Sequence, residues 1–295
     1  MNQRLPEHVP VMPEEVVHWL RPQPGGRLVD GTVGGGGHTQ RLAAEVGAGG
    51  LVIGLDRDPE ALTRVEAVLR GKPVLLVESN YCELPEVLEQ IEIEAVDGIV
   101  LDLGLSSDQL ADGQRGFSFD STGPLDLRYN PGEGEPAWRM VERLSEAHLA
   151  EVIWRYGEER FSRRIAAAVV KVRRENPIRT ARQMAELVRR VVPKSTKSRI
   201  DPATRTFQAL RIAVNDELKS LDIALERLPG CLKPGGRLAI LSFHSLEDRR
   251  VKEAFRDDER YEVLTRRPVR PTPEEVAQNP RSRSAKLRVA ARRPA

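Results

Sequence analysis

Between Gly26 and Leu103 short apolar runs alternate with amphipathic stretches, a pattern that restricts the chain to parallel β-strands joined by crossover helices. Arg27–Asp30 reads as the first strand and His38–Val46 as the helix after it, and Leu51–Leu55 with Pro59–Leu69 repeats the unit. Val74–Val77 and Gly98–Leu103 supply the third and fourth strands. Further on, Leu218–Leu232 has helical periodicity and stops at Lys233-Pro234-Gly235-Gly236, a helix terminator and turn, ahead of a buried strand over Arg237–Phe243. The expected fold class is α/β.

More than a hundred residues separate the fourth strand from the Leu218 helix. That is too long for a crossover connection, so the stretch should hold a separately folded insertion. Its centre reads as helical: Ser145–Trp154, Phe161–Arg174 and Thr180–Val192 have apolar positions at three-to-four spacing, with Ser145 and Thr180 as N-caps and Pro177 and Pro193 as breakers. The expected division is 1–108 and 214–295 for the sheet domain and 109–213 for a mainly helical insertion. Charge is unevenly spread as well. Residues 139–212 hold 18 Lys and Arg against 8 Asp and Glu, whereas the rest of the chain holds 28 against 36. Arginine dominates the basic segment, as suits planar donors meeting phosphate oxygens; a solvated helical surface laced with ion pairs accounts for it equally well.

With 295 residues the chain can bury a sizeable core, and no apolar run approaches the roughly 18 residues of a membrane span. Met1 to Pro13 lacks a signal-peptide core, so the expected location is the cytoplasm. Cys82 and Cys231 stand far apart without metal or redox spacing and read as free thiols. The five histidines show no ligand pairing, and no metal is expected. Arg266–Asn279 is Pro-rich and reads as irregular, with Lys286–Ala291 as a final short strand. The tail from Arg270 is basic and reads either as a second polynucleotide contact or as a loose terminus.

The strongest local signal is Val29-Asp30-Gly31-Thr32-Val33-Gly34-Gly35-Gly36-Gly37-His38, set between a strand and a helix. Glycines permit a sharp bend and close approach of a ligand to the main chain. The spacing fits a dinucleotide fingerprint poorly, because Thr39 or Gln40 falls where its last glycine belongs. Asp30 at the end of the first strand would repel phosphates but suits a sugar joined to a cationic sulfonium and an ammonium. Asp56, ending the second strand, is placed to accept hydrogen bonds from two ribose hydroxyls, and Asp102 stands at the tip of the fourth strand, on the carboxyl edge where open α/β sheets bind ligands. Helix capping for Asp56 and turn formation for Asp102 are the structural alternatives.

These segments belong to a longer series: His8-Val9-Pro10-Val11, Asp30-Gly31-Thr32, Asp56-Arg57-Asp58-Pro59, Leu101-Asp102-Leu103-Gly104-Leu105-Ser106-Ser107-Asp108-Gln109, Arg115-Gly116-Phe117-Ser118-Phe119, Tyr156-Gly157-Glu158-Glu159, Pro202-Ala203-Thr204-Arg205-Thr206-Phe207, Ser242-Phe243-His244-Ser245-Leu246-Glu247-Asp248 and Asn279-Pro280-Arg281-Ser282. In that order they resemble the bacterial small-subunit ribosomal RNA cytosine-N4 methyltransferase family, also known as RsmH or MraW. The resemblance implies a class I, Rossmann-like methyltransferase sheet, S-adenosylmethionine as cofactor, 16S rRNA of the small subunit or its precursor as partner, and a helical insertion that helps recognise RNA. A homodimer is the other assembly considered. Carried over by position, the cofactor contacts are Gly36, Gly37, His38, Asp56, Tyr81, Asp102 and Gln109, with Asp30 beside them. Thr122 and Asn130 stand where relatives often have Asp, and Asp201 where they often have His.

Asp102, Ser106 and Ser107 occupy the place where amino-methyltransferases set their catalytic motif, and are expected to border the methyl-transfer site. Phe117 and Phe119 could stack on an extruded base or pack the insertion's own core. Arg199, Arg205 and Arg211 are read as phosphate contacts, with structural ion pairs as the competing account. His244 in Ser242-Phe243-His244-Ser245 lacks a nucleophile elbow, which leaves a substrate-side or helix-capping role. Two other functions use the same features: an RNA assembly factor that keeps the cofactor without turnover, and a dinucleotide-dependent oxidoreductase.

Overall fold

The computed structural model describes residues 9–193 and 201–294, and the chain divides into two compact units, Met1–Ser106 with Leu218–Ala295, and Ser107–Glu217. The first begins with α1 (Pro13–Leu20), β1 (Arg27–Asp30), α2 (Gly37–Val46), β2 (Leu51–Asp56), α3 (Pro59–Leu69), β3 (Val74–Glu78), α4 (Leu84–Gln90) and β4 (Val96–Asp102). The second holds α5 (Ser107–Ala111), α6 (Ala137–Arg143), α7 (Glu146–Gly157), α8 (Ser162–Arg173), α9 (Ala181–Val191) and α10 (Thr204–Asn215). The remainder is α11 (Glu217–Cys231), β5 (Leu232–Ser242), α12 (Ser245–Asp257), β6 (Tyr261–Val263), α13 (Pro273–Gln278) and β7 (Lys286–Arg292).

The seven strands lie in the order β3-β2-β1-β4-β5-β7-β6. Strands β1 to β5 pair in parallel, and β7 runs antiparallel between β5 and β6. Successive side chains of a strand face opposite sides, and both sides are apolar. Val29, Ile53, Ile99, Leu101 and Ile240 share one buried cluster with Leu88, Leu221 and Leu228, whereas Leu28, Val52, Val100 and Leu241 share another with Val16, Leu20, Leu42 and Val46. Strand order reverses between β1 and β4, which opens a crevice at their carboxyl ends.

Three departures from the sequence reading have local causes. The Lys233–Gly236 turn lies within β5 as an outward bulge: pairing jumps from Val96 opposite Leu232 to Gly98 opposite Arg237. Asp97, the one residue opposite it, accepts from Lys233 Nζ at 2.7 Å and from the Arg27 amide at 2.8 Å. The stretch expected to be irregular contains α13, started by Thr272, whose side chain accepts from the Glu275 amide. The basic tail is not a loose terminus, because β7 is an interior strand and Asp248 holds Lys286 and Arg288 at 2.8 and 2.7 Å.

In the second unit, Ser145 and Thr180 cap α7 and α9, Thr180 in a reciprocal capping box with Gln183. Gly157, at the end of α7, lies so close to α10 that a β-carbon there would stand 2.4 Å from the Arg205 carbonyl oxygen. Buried Asn215 accepts from the Tyr129 amide and donates to the Leu127 carbonyl, both at 2.7 Å, tying α10 to the loop before α6.

Candidate cofactor site at the carboxyl edge of the sheet

Asp30, Asp56 and Asp102 end β1, β2 and β4, so the parallel pairing that builds the sheet also sets three carboxylates along one edge. Asp30 is fully buried beneath the glycine bend, and its oxygens accept from Thr39 Oγ1 at 2.6 Å and the Thr32 amide at 3.1 Å. Direct contact with a ligand, the reading suggested by sequence, is closed to a side chain without exposed surface. Asp30 holds the bend from below through Thr32 and Thr39. Burial pushes its carboxyl above the ordinary carboxylate range, against the pull of His38 and the Thr39 hydrogen bond.

Asp56 Oδ2 accepts from the Gly34 amide at 2.7 Å, and Oδ1 accepts from the Asp58 amide at 2.9 Å. The N-cap of α3 is Asp58, which accepts from the Glu60 amide, so capping is not the work of Asp56. Burial raises the Asp56 carboxyl to about 6 despite those two amides. Gly36, at φ 79°, is the N-cap of α2 and permits the left-handed turn that a side chain would strain. Gly37 follows as the first residue of α2, and a β-carbon on it would meet the Pro10 ring at 2.9 Å.

His38, 5% exposed, places Nε2 3.5 Å from Asp102 Oδ2, near enough for charge attraction but misaligned for a hydrogen bond. Asp102 Oδ1 is a buried acceptor with no hydrogen-bond partner among the described residues. Burial disfavours the imidazolium of His38, but Asp102 and Asp30 outweigh it and raise the ring above its ordinary pKa. The Asp102 amide donates to Thr32 Oγ1 at 2.7 Å, so one threonine links the tips of β1 and β4. Tyr81 is half-buried in a 3-10 turn after β3, and its Cβ would stand 3.0 Å from a β-carbon added to Gly31. Ser106 lies against the bend: a β-carbon on Gly34 would stand 3.3 Å from its Cβ.

Several supports are invisible in the sequence pattern. Glu275 of α13 accepts from the Met12 amide at 2.7 Å, Asn279 donates to the Val9 carbonyl at 3.2 Å, and Arg281 donates to the Leu105 carbonyl at 3.0 Å, behind Asp102. His244 is the N-cap of α12, accepting from the Glu247 amide while Glu247 accepts from the His244 and Phe243 amides.

The other expected residues belong to the second unit. Ser107 begins α5, and Gln109 is buried on it. Phe117 is buried and stacks on Tyr129, and Phe119 is half-buried with its edge against Phe207. Arg211 is held by Glu217 through two bonds of 2.8 and 2.9 Å, and exposed Arg205 donates to the Glu158 carbonyl. Asp201 takes a paired grip from Arg189. Arg199 lies outside the described residues.

The strand order, with antiparallel β7 set inside the far edge, is that of class I methyltransferases, whose methyl donor is S-adenosylmethionine. The chain belongs to the MraW methylase family, whose profile matches residues 6–293. A ribosomal RNA small subunit methyltransferase H from Rhodopirellula baltica is 50% identical, the match covering 97% of this chain and 91% of that one. Its namesake from Syntrophotalea carbinolica is 48% identical over 98% of both. An rRNA methylase structure from Streptococcus thermophilus aligns with 96% of this chain and 94% of its own at 12% identity and a TM-score of 0.45, too low a likeness to bear on function. No described helix is long and apolar enough to cross a membrane.

Proposed function

We propose that the chain methylates N4 of one cytidine in 16S rRNA of the small ribosomal subunit or its precursor, in the cytoplasm. The observation that carries this reading is the Asp102 tip: a buried carboxylate oxygen without a hydrogen-bond partner among the described residues, beside His38 and next to the glycine bend. The names of the relatives support small-subunit rRNA as the target, and the family resemblance supports the cytosine amine.

The residues suit S-adenosylmethionine. Asp56 would accept from ribose hydroxyls, the amides of Gly37 and His38 offer donors at the start of α2 where the Gly36 amide is turned to the Val33 carbonyl, Tyr81 would pack the adenine, and Asp102 favours a cation. When bound, the cofactor supplies an electrophilic methyl on positively charged sulfur. The cytosine amine is a poor nucleophile because its lone pair is delocalised into the ring. Asp102 would accept a hydrogen bond from that amine, which localises the lone pair, and would receive the proton released as the N–C bond forms and the methyl's bond to sulfur breaks, its electron pair staying on sulfur. His38 steadies the Asp102 carboxylate, and Ser106 borders the transfer site. The family resemblance assigns Ser107 to methyl transfer, Gln109 to the cofactor, and Phe119, Arg205 and Arg199 to RNA.

Mass-spectrometric mapping of rRNA from cells lacking the protein tests the reading. One cytidine should lack a methyl group, which the wild-type chain restores and Asp102→Ala does not. Unchanged methylation at every cytidine would overturn it, and binding of both RNA and cofactor without turnover would mark an assembly factor instead.

A further inference from the structure

Trp154 is the most exposed large apolar side chain among the described residues, at 59%. It follows Ile153 on α7, just off the stripe of Leu149, Ala150, Ile153 and Gly157 that this helix buries. A ring left in water at such an angle is available to a planar partner. The stretch beyond it, Arg155–Arg164, holds four arginines against exposed Glu158 and buried Glu159. Arg155 lies over the Tyr156 ring at 5.6 Å, and Arg160 and Arg164 both lie over Phe161, at 4.6 and 5.5 Å. A guanidinium seated over an aromatic ring and still exposed can offer its N–H groups to phosphate oxygens. All three arginines are exposed, as is Arg163, and none of the four is ion-paired among the described residues. Helix α8 has four basic residues and no acidic one; Arg173, the last of them, is spent internally on the Val141 and Leu144 carbonyls. Arg205 reaches the same turn through the Glu158 carbonyl.

We propose that Trp154 and the arginines around the α7–α8 turn bind an unpaired stretch of RNA, the indole stacking one base while the guanidinium edges hold neighbouring phosphates. An exposed ring can be stacked only by a base that is itself unstacked, which favours a loop or single strand over a duplex. The cation cluster favours a polyanion over a protein surface of mixed charge. The proposal rests on the reading that the substrate is RNA and gives that recognition a place.

The test is fluorescence anisotropy of the full-length protein, without cofactor, with a labelled unstructured ribo-oligonucleotide and with a duplex of equal length, across a salt series. Trp154→Ala should weaken binding to the single strand by about 5- to 100-fold with the salt slope unchanged, and Trp154→Phe should recover most of the loss. Arg160→Glu with Arg164→Glu should weaken binding and flatten the slope of log K against log salt by about 1.4, as expected for two lost phosphate contacts. Calorimetric binding of S-adenosylmethionine should stay at the wild-type level in every variant. Wild-type RNA affinity in these variants, preference for the duplex, or a Phe variant as weak as the Ala variant would overturn the proposal. So would normal RNA binding combined with lost methylation of intact subunits, which would point to a ribosomal protein as partner. Should the wild type bind RNA with these sensitivities yet methylate no rRNA, the surface stands and the proposed function falls.

Discussion

Asp56 is pulled in opposite directions by fold and ligand. Its carboxyl is raised from 3.8 to about 6, so the ligand-free fold favours the protonated acid. That stabilisation is fully present below about pH 3.8 and is lost as the pH rises through about 6. Ribose hydroxyls donate more strongly to the ionised form, so affinity for S-adenosylmethionine should climb between about pH 5 and 7 and level off above. Asp56→Asn should weaken binding near neutrality by about tenfold and remove much of the climb; calorimetry over the pH series that finds the same slope in both proteins would contradict the assignment. Asp102→Ala should lower kcat by about 100-fold or more with the fold intact, as expected when a proton acceptor is removed. The three acidic strand ends were legible in the sequence because strand tips in a parallel sheet share one edge. That Asp30 works from beneath was not, since nothing in its neighbours' spacing says that Thr39 closes over it. Glu275, Asn279 and Arg281 were equally hidden as supports, being separated from Met12, Val9 and Leu105 by well over a hundred residues.

Helices and strands whose apolar period is long enough to count were readable at the scale of elements, and β1 and α3 have the bounds their patterns suggest. Three-residue β6 offers too few positions for alternation to register. α12 hides its periodicity among charges, burying only Leu246, Glu247, Val251 and Phe255 over thirteen residues. The Lys-Pro-Gly-Gly turn was correctly placed in sequence but not in context, because β5 resumes the same ladder on its far side. Gly157 shows how one missing β-carbon sets helix spacing. Gly157→Ala should force α7 and α10 apart and lower stability by about 1 to 3 kcal/mol, measured by denaturant unfolding. An exposed control such as Ala147→Gly should cost only about 1 kcal/mol, the helix-propensity difference.

For the whole molecule, the long interval after β4 pointed to a separate unit, and the basic segment 139–212 falls inside the compact unit Ser107–Glu217. How many of those arginines serve RNA was not readable, because Arg173, Arg189 and Arg211 turn to carbonyls and carboxylates of their own unit. Hydrogen exchange should separate the two roles. S-adenosylmethionine should slow exchange at the amides from Gly34 to Thr39, and single-stranded RNA should slow it around the α7–α8 turn; one ligand protecting both segments equally would contradict the assignment. The placement of β7 also bears on how the chain is made. A ribosome emits the helical unit before β5 exists, yet the sheet keeps an open interior edge until residues 286–292 leave the exit tunnel. A message cut short just upstream of Lys286 would yield a product holding all three acidic tips, with the edge of β5 away from β4 left open as a template for aggregation.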